Sequence, residues 1–116
     1  MSYTYALCTN LTEAPVCGPN VTNMDGTYAY CTRINRFSPV CGDNVVTMNS
    51  TYTLSGVSGS PVCGNNVKDM VGTYQLSGVS GSPVCGPNVI NMVGTYYGCS
   101  YITGPAVCGN NVIDMS

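Results

Sequence analysis

A pentamer of the form Pro/Ala-Val-Cys-Gly-x returns five times along the chain, marked by Cys17, Cys41, Cys63, Cys85 and Cys108 at steps of 24, 22, 22 and 23 residues. A short fixed period constrains the fold more than any single motif, because one unit of that length cannot enclose a core and must bury its apolar side against its neighbours. Read from Val62 to Pro83, the unit runs Val-Cys-Gly-Asn-Asn-Val-Lys-Asp-Met-Val-Gly-Thr-Tyr-Gln-Leu-Ser-Gly-Val-Ser-Gly-Ser-Pro. The chain is expected to be a single repeat array over residues 1–116. Modules start near Val16, Val40, Val62, Val84 and Val107, and residues 1–15 complete a module begun by a preceding copy.

The ends carry a second period. Met115-Ser116 repeats Met1-Ser2, and overlaying the pairs leaves thirteen residues between Cys108 and the Cys8 of a following copy, the number that separates Cys17 from Cys31 and Cys85 from Cys99. The overlay also sets Thr4-Tyr5 on the recurring Thr-Tyr. Two expectations follow: a longer chain with a super-period of 114 residues, or subunits that continue one another head to tail.

Composition narrows the function. Charged residues make up 7% of the chain, against about a quarter in ordinary domains. Lys68, Arg33 and Arg36 are the only cations, so no basic stripe exists to follow phosphates, and nucleic acid is not an expected partner. No apolar run approaches the roughly 20 residues of a membrane-spanning helix. Eight cysteines and three Asn-x-Ser/Thr sequons point to a secreted, extracellular setting, while the absence of histidine removes Cys/His zinc patterns. Met1 is followed by Ser-Tyr-Thr-Tyr-Ala, without the basic flank and apolar core of a signal peptide, so a secreted protein is expected to carry its signal upstream of these residues.

Local patterns suggest an all-β fold. In Gly72–Ser77, Tyr74 and Leu76 alternate with Thr73, Gln75 and Ser77, as in a half-buried strand, and the same parity recurs at Tyr28/Tyr30 and Tyr52/Leu54. Gly78-Val-Ser-Gly-Ser-Pro83 reads as a turn, followed by a short strand at Val84-Cys85, which together make a hairpin. Asn-Val-x-x-Met spaces Val and Met three apart (Val67/Met70, for example), as one helical or 3-10 turn would to point both inward. The expected architecture is either a stack of hairpins or a β-solenoid, with disulfide staples.

By the same parity the cysteine slots face away from the Tyr/Leu/Val side. The favoured pairs are Cys8–Cys17, Cys31–Cys41 and Cys99–Cys108 across hairpins, with Cys63–Cys85 between neighbouring modules. A rival set joins Cys17–Cys31, Cys85–Cys99 and Cys41–Cys63, leaving Cys108 for the Cys8 of another copy.

Asn10-Leu-Thr12 and Asn49-Ser-Thr51 lie at expected loop positions and are candidate glycan acceptors. Asn20-Val-Thr22 is a third, although its asparagine fills a slot shared with Asn44, Asn66, Asn88 and Asn111, where a turn role suffices. The Met column reads as core filler rather than a copper(I) ladder, and the Tyr column (Tyr5, Tyr28, Tyr52, Tyr74, Tyr96) as stacked core. Tyr3, Tyr30, Tyr97 and Tyr101 are the tyrosines expected outside. Glu13, Asp25, Asp43, Asp69 and Asp114 fall in different modules and pair by no spacing, so neither a catalytic residue, a metal site nor a cofactor is expected.

The stretch from Gly72 to Cys85, with its Gly-Thr-Tyr, small turn and Pro-Val-Cys, resembles short secreted β repeats of the pattern Gly-x-Tyr-x-x-x-Gly, turn, Pro-Val-Tyr, with Cys in place of the last Tyr. It is also similar to the repetitive cores of glycan-coated extracellular fibrils and flagellar hairs. The resemblance implies an extracellular adhesive or structural protein and supplies no binding residues. The leading expectation is thus a non-enzymatic, glycosylated structural subunit of an extracellular filament or fibril, whose partners are copies of itself and covalent glycans. The alternative is a secreted carbohydrate-binding or adhesive module. Ice binding by an exposed Thr array is a third.

Overall fold

The computed structural model of the protein describes residues 6–7, 10, 19–34, 43–59, 64–81, 86–103 and 109–114. Among them there is no helix, and the strands are three short ones: β1 (Ser58–Gly59), β2 (Gly78–Gly81) and β3 (Tyr101–Ile102). They pair in parallel in the order β1-β2-β3, Ser58 beside Gly78 and Ser80 beside Tyr101. Successive copies of the repeat also touch through single-residue parallel bridges that run Asn23, Thr47, Asp69, Asn91, Asp114.

These findings overturn the all-β, five-module, disulfide-stapled expectation in both its forms. No hairpin and no closed β-solenoid is present among the described residues; what lies in register from copy to copy is mostly turns. The assignment inside the unit is inverted as well. The expected strand at 72–77 is a run of turns, and the expected turn at 78–81 is β2.

The reason is the backbone conformation at two slots four residues apart. Gly72 has φ of 60° and Leu76 of 55°; Gly26 with Tyr30, and Ser50 with Leu54, repeat the pair. A left-handed residue every fourth position folds the chain back on itself, since only an isolated residue there is tolerated and no strand can run through it. Between those slots N–H groups alternate in their use. Those of Thr73, Gln75 and Ser77 close turns onto the carbonyls of Met70, Gly72 and Tyr74 (3.1, 3.1 and 3.0 Å). Those of Met70, Gly72, Tyr74 and Leu76 cross instead to Asn91, Val93, Thr95 and Tyr97 of the next copy (2.9, 2.9, 3.0 and 2.7 Å). The backbone polar groups are satisfied without an extended ladder.

The Val-x-x-Met segment differs from expectation in a second way. Val67 and Met70 are both fully buried, but no helical turn brings them inward. Consecutive N–H groups of Lys68 and Asp69 share the Val46 carbonyl (2.8 and 3.4 Å), as those of Ile90 and Asn91 share that of Lys68 (2.9 and 3.3 Å). Two residues against one is the geometry of a bulge, and it shifts the inward parity by one position.

Glycine decides where the short sheet forms. A Cβ at Gly78 would lie 3.0 Å from the Val57 carbonyl oxygen, and one at Gly56 would collide with that of Ile34. The close approach that pairs β1 with β2 therefore depends on the bare backbone that made this stretch read as a turn.

The core is a set of columns running along the stack. Val45, Val67 and Val89 make one, Met24, Met48, Met70 and Met92 another, and Tyr28, Tyr52 and Tyr74 a third, none more than 4% exposed. The tyrosine rings stack nearly parallel, with centroids 5.4, 5.5 and 5.8 Å apart from Tyr28 through Tyr52 and Tyr74 to Tyr96. Each fully buried side chain of this size contributes about 1.5–3 kcal/mol relative to exposure. A unit with three or four of them is held by its neighbours more than by itself.

Candidate functional surfaces

The threonine of Thr-Tyr lies inside. Thr27, Thr51, Thr73 and Thr95 are buried, and the Oγ1 of Thr51, Thr73 and Thr95 donates to the carbonyl of Met24, Met48 and Met70 in the preceding copy (2.7, 2.7 and 2.6 Å). A hydroxyl used in this way adds a rung to the core and is withdrawn from water. The recurring threonine therefore forms no outward face, and an ice-binding array built on it is ruled out.

The second cysteine slot also lies inside. Cys31, Ser55 and Ser77 are buried and Cys99 is half-buried. Ser55 and Ser77 accept the N–H of Val57 and Val79 (3.3 and 3.5 Å), and the Cys99 thiol donates to the Tyr74 carbonyl at 3.0 Å. Cys31 and Cys99 are not bridged to each other. This corrects the outward placement of the slot, which rested on strand parity in a segment that is not a strand. The pairs expected for Cys31 and Cys99, in the favoured set and in the rival one, call for partners that lie outside the described residues. Cys8, Cys17, Cys41, Cys63, Cys85 and Cys108 lie outside the described residues.

The sequon asparagines occupy three different settings. Asn10 and Asn20 are exposed. Asn49 is half-buried: its Oδ1 accepts the N–H of Val71 at 3.0 Å, and its own N–H donates to Asp25 Oδ1 at 2.8 Å. Asn20 begins a column in which Asn44, Asn66, Asn88 and Asn111 each donate Nδ2 to a carbonyl of the preceding copy, at Pro19, Asp43, Asn65 and Pro87 (2.6, 2.6, 2.7 and 3.3 Å). Sequence reasoning assigned that slot a turn role. It missed the copy-to-copy bond, for which the invariant Asn at one position of the period was the available signal.

The outer surface carries little charge. Asp25 accepts from Asn23 Nδ2 at 3.3 Å through Oδ2. Among the described residues no three of His, Cys, Asp and Glu gather where a metal ion could be held, and no helix is long and apolar enough to cross a membrane. The exposed large side chains are Leu7, Tyr30, Leu76, Ile90, Tyr97, Tyr101 and Ile113. Three of them, with Leu54, occupy one slot. Leu7, Tyr30, Leu54 and Leu76 all have positive φ (63°, 61°, 54° and 55°), and their N–H groups bond the next copy at Ala29, Thr53, Gln75 and Tyr97.

No protein family, curated protein or solved structure matches the chain.

Proposed function

We propose that the chain is a non-enzymatic structural subunit of an extracellular filament or fibril, glycosylated and growing by end-to-end stacking of copies. One observation carries this reading: the Val column is fully buried in the middle, at Val45, Val67 and Val89, and only half-buried at its extremes, Val21 and Val112. Beside Val112, Ile113 is 84% exposed. Each copy of the repeat offers on one face what the next copy takes up on the other, so a column that ends half-buried can take up a further copy of the unit. Such heterologous, non-closing contacts generate filaments. Low charge and a core made of repeated small rungs suit a passive building element, and the three sequons suit a secreted one.

The test is assembly of the purified secreted protein, followed by negative-stain microscopy and sedimentation over a concentration series. Wild type is expected to form unbranched threads. Val112→Glu, which sets a charge on an outer face, is expected to keep the far-UV spectrum and lose the threads. A protein that stays monomeric at every concentration would refute the reading.

Binding of carbohydrate is a second reading, favoured by Tyr97 and Tyr101, each 66% exposed near one another in sequence. Stacking of sugar rings on such tyrosines would appear as selective retention on a glycan array, abolished by Tyr97→Ala with Tyr101→Ala.

A further inference from the structure

Leu7, Tyr30, Leu54 and Leu76 share a strained backbone conformation and a place on the surface. Leu7 is 68% exposed, Tyr30 47% and Leu76 46%, while Leu54 is half-buried. Left-handed φ is costly for bulky side chains, and glycine is the residue that relieves it. The slot accepts glycine: Gly98 fills it in the following copy, with φ of 74°. A Cβ at Gly98 would collide with Cδ2 of Leu76, so Leu76 leans along the stack axis over its neighbour's slot. Four of the five residues at this slot are thus large apolar side chains in a conformation that disfavours them, at a site that buries them only in part. Persistent strain of this kind marks a functional surface.

We infer that this row is a lateral contact, by which one stack pairs side by side with a second stack of the same chain. The inference rests on the end-to-end reading above and names the next level of its assembly. Two observations favour a copy of the chain as the occupant. The row repeats once per copy of the unit, in step with the tyrosine column whose ring centroids lie 5.4–5.8 Å apart, and another stack of the same chain offers the same repeat. The residues flanking the slot in sequence, Ala29, Thr53, Gln75 and Tyr97 on one side and Cys31, Ser55, Ser77 and Cys99 on the other, carry no charge, and Arg33, three residues beyond Tyr30, is the one exposed charge close to the row in sequence among the described residues, so little selects a charged partner. Area limits what one subunit can do: four partly exposed side chains present no more than about a few hundred Å², well under the roughly 800 Å² per partner of a stable interface.

That shortfall makes the contact conditional. A single subunit cannot pair through the row, whereas a thread presents it again with every subunit, and the contacts then act together. Lateral pairing should therefore follow elongation and never precede it. Matched side chains meeting at a constant step can also interdigitate into a dry seam, as repeated identical segments do elsewhere.

The experiment compares wild type with Leu54→Gly/Leu76→Gly and with Leu76→Tyr, all as the full chain. Glycine relieves the left-handed backbone, so the double variant is expected to melt at or above the wild-type temperature and to form threads of normal length that remain single. Wild-type threads are expected in pairs or bundles, and Leu76→Tyr, which copies the residue at Tyr30, is expected to keep them. Thread width by microscopy and light scattering read the outcome. Single wild-type threads, or bundles in the glycine variant equal to those of wild type, overturn the lateral contact and leave end-to-end growth standing. A marked fall in melting temperature for the glycine variant also overturns it, since the side chains would then serve the fold. No threads from any form overturns end-to-end growth, and the lateral contact with it.

Discussion

Replacing Tyr52 and Tyr96 by leucine, one at a time, measures how far a residue's contribution depends on its place in the stack. Tyr52 is 1% exposed and stacks on two rings, at 5.4 and 5.5 Å; Tyr96 is half-buried and stacks on Tyr74 at 5.8 Å. A stacked aromatic pair contributes about 0.5–1.5 kcal/mol beyond burial. Tyr52→Leu removes two such pairs and leaves unfilled volume in a packed column, for a total of about 2–4 kcal/mol. Tyr96→Leu removes one pair at a site that solvent already reaches, for about 0.5–1.5 kcal/mol. At about 4–5 °C per kcal/mol for a chain of this size, the first should melt roughly 8–20 °C below wild type and the second roughly 2–8 °C below it. Calorimetry and circular dichroism at concentrations where the protein is monomeric would read the difference. In assembled threads the two losses should converge, because the ring of Tyr96 would then be covered on both faces. Equal losses in the monomer, or a loss for Tyr97→Leu as large as for Tyr52→Leu, would refute the column as the source of stability.

Three further outcomes can be checked. Thr47 Oγ1 is buried with no hydrogen-bond partner, so Thr47→Val should stabilise by about 1 kcal/mol in urea unfolding, the lower end of the penalty for an unsatisfied buried group; a destabilised variant would show that the hydroxyl is satisfied. Ser50→Gly, at φ 54° in the slot where Gly26, Gly72 and Gly94 sit, should stabilise by roughly 0.5–1 kcal/mol, strain relief exceeding the entropy of an added glycine, and a lower unfolding midpoint would contradict it. On secretion from a glycosylating host, peptide mass mapping should find sugar at Asn10 and Asn20 and little at Asn49, whose half-buried amide holds Val71; full occupancy at Asn49 with an unchanged melting temperature would show that bond to be dispensable.

Much of the core was legible in the period. Val, Met and Tyr recur at fixed slots, and side chains at one slot of a stacked repeat meet whatever path the backbone takes between them. The path itself was not legible. Period-two alternation at Tyr74 and Leu76 reads as strand, yet the same spacing arises when alternate N–H groups close turns. Nothing in Leu76 or Tyr30 announces a left-handed backbone, a conformation that sequence reasoning reserves for Gly and Asn. Gly78-Val-Ser-Gly81 carried turn composition, and only the close approach of Val57 makes glycine a strand residue there. The error in parity then spread to Cys31 and Cys99, placed outward by a strand that does not exist. For the candidate surfaces, Tyr30, Tyr97 and Tyr101 could be separated from the buried tyrosines by their absence from the repeating column. Leu7, Leu54 and Leu76 could not, because leucine in a half-buried strand points inward.

The sense of the bonds between copies has a consequence for length. Met70, Gly72, Tyr74 and Leu76 point their amides forward along the axis, whereas the amides of Lys68 and Asp69, the Asn66 side chain and the Thr73 hydroxyl point backward. An α-helix aligns all its peptide units and accumulates opposite partial charges at its two tips. Here bonds of both senses occur within every layer, so each added layer contributes less polarity than its forward amides alone would give, and a tall pile accumulates charge at its tips more slowly than a helix of aligned peptides.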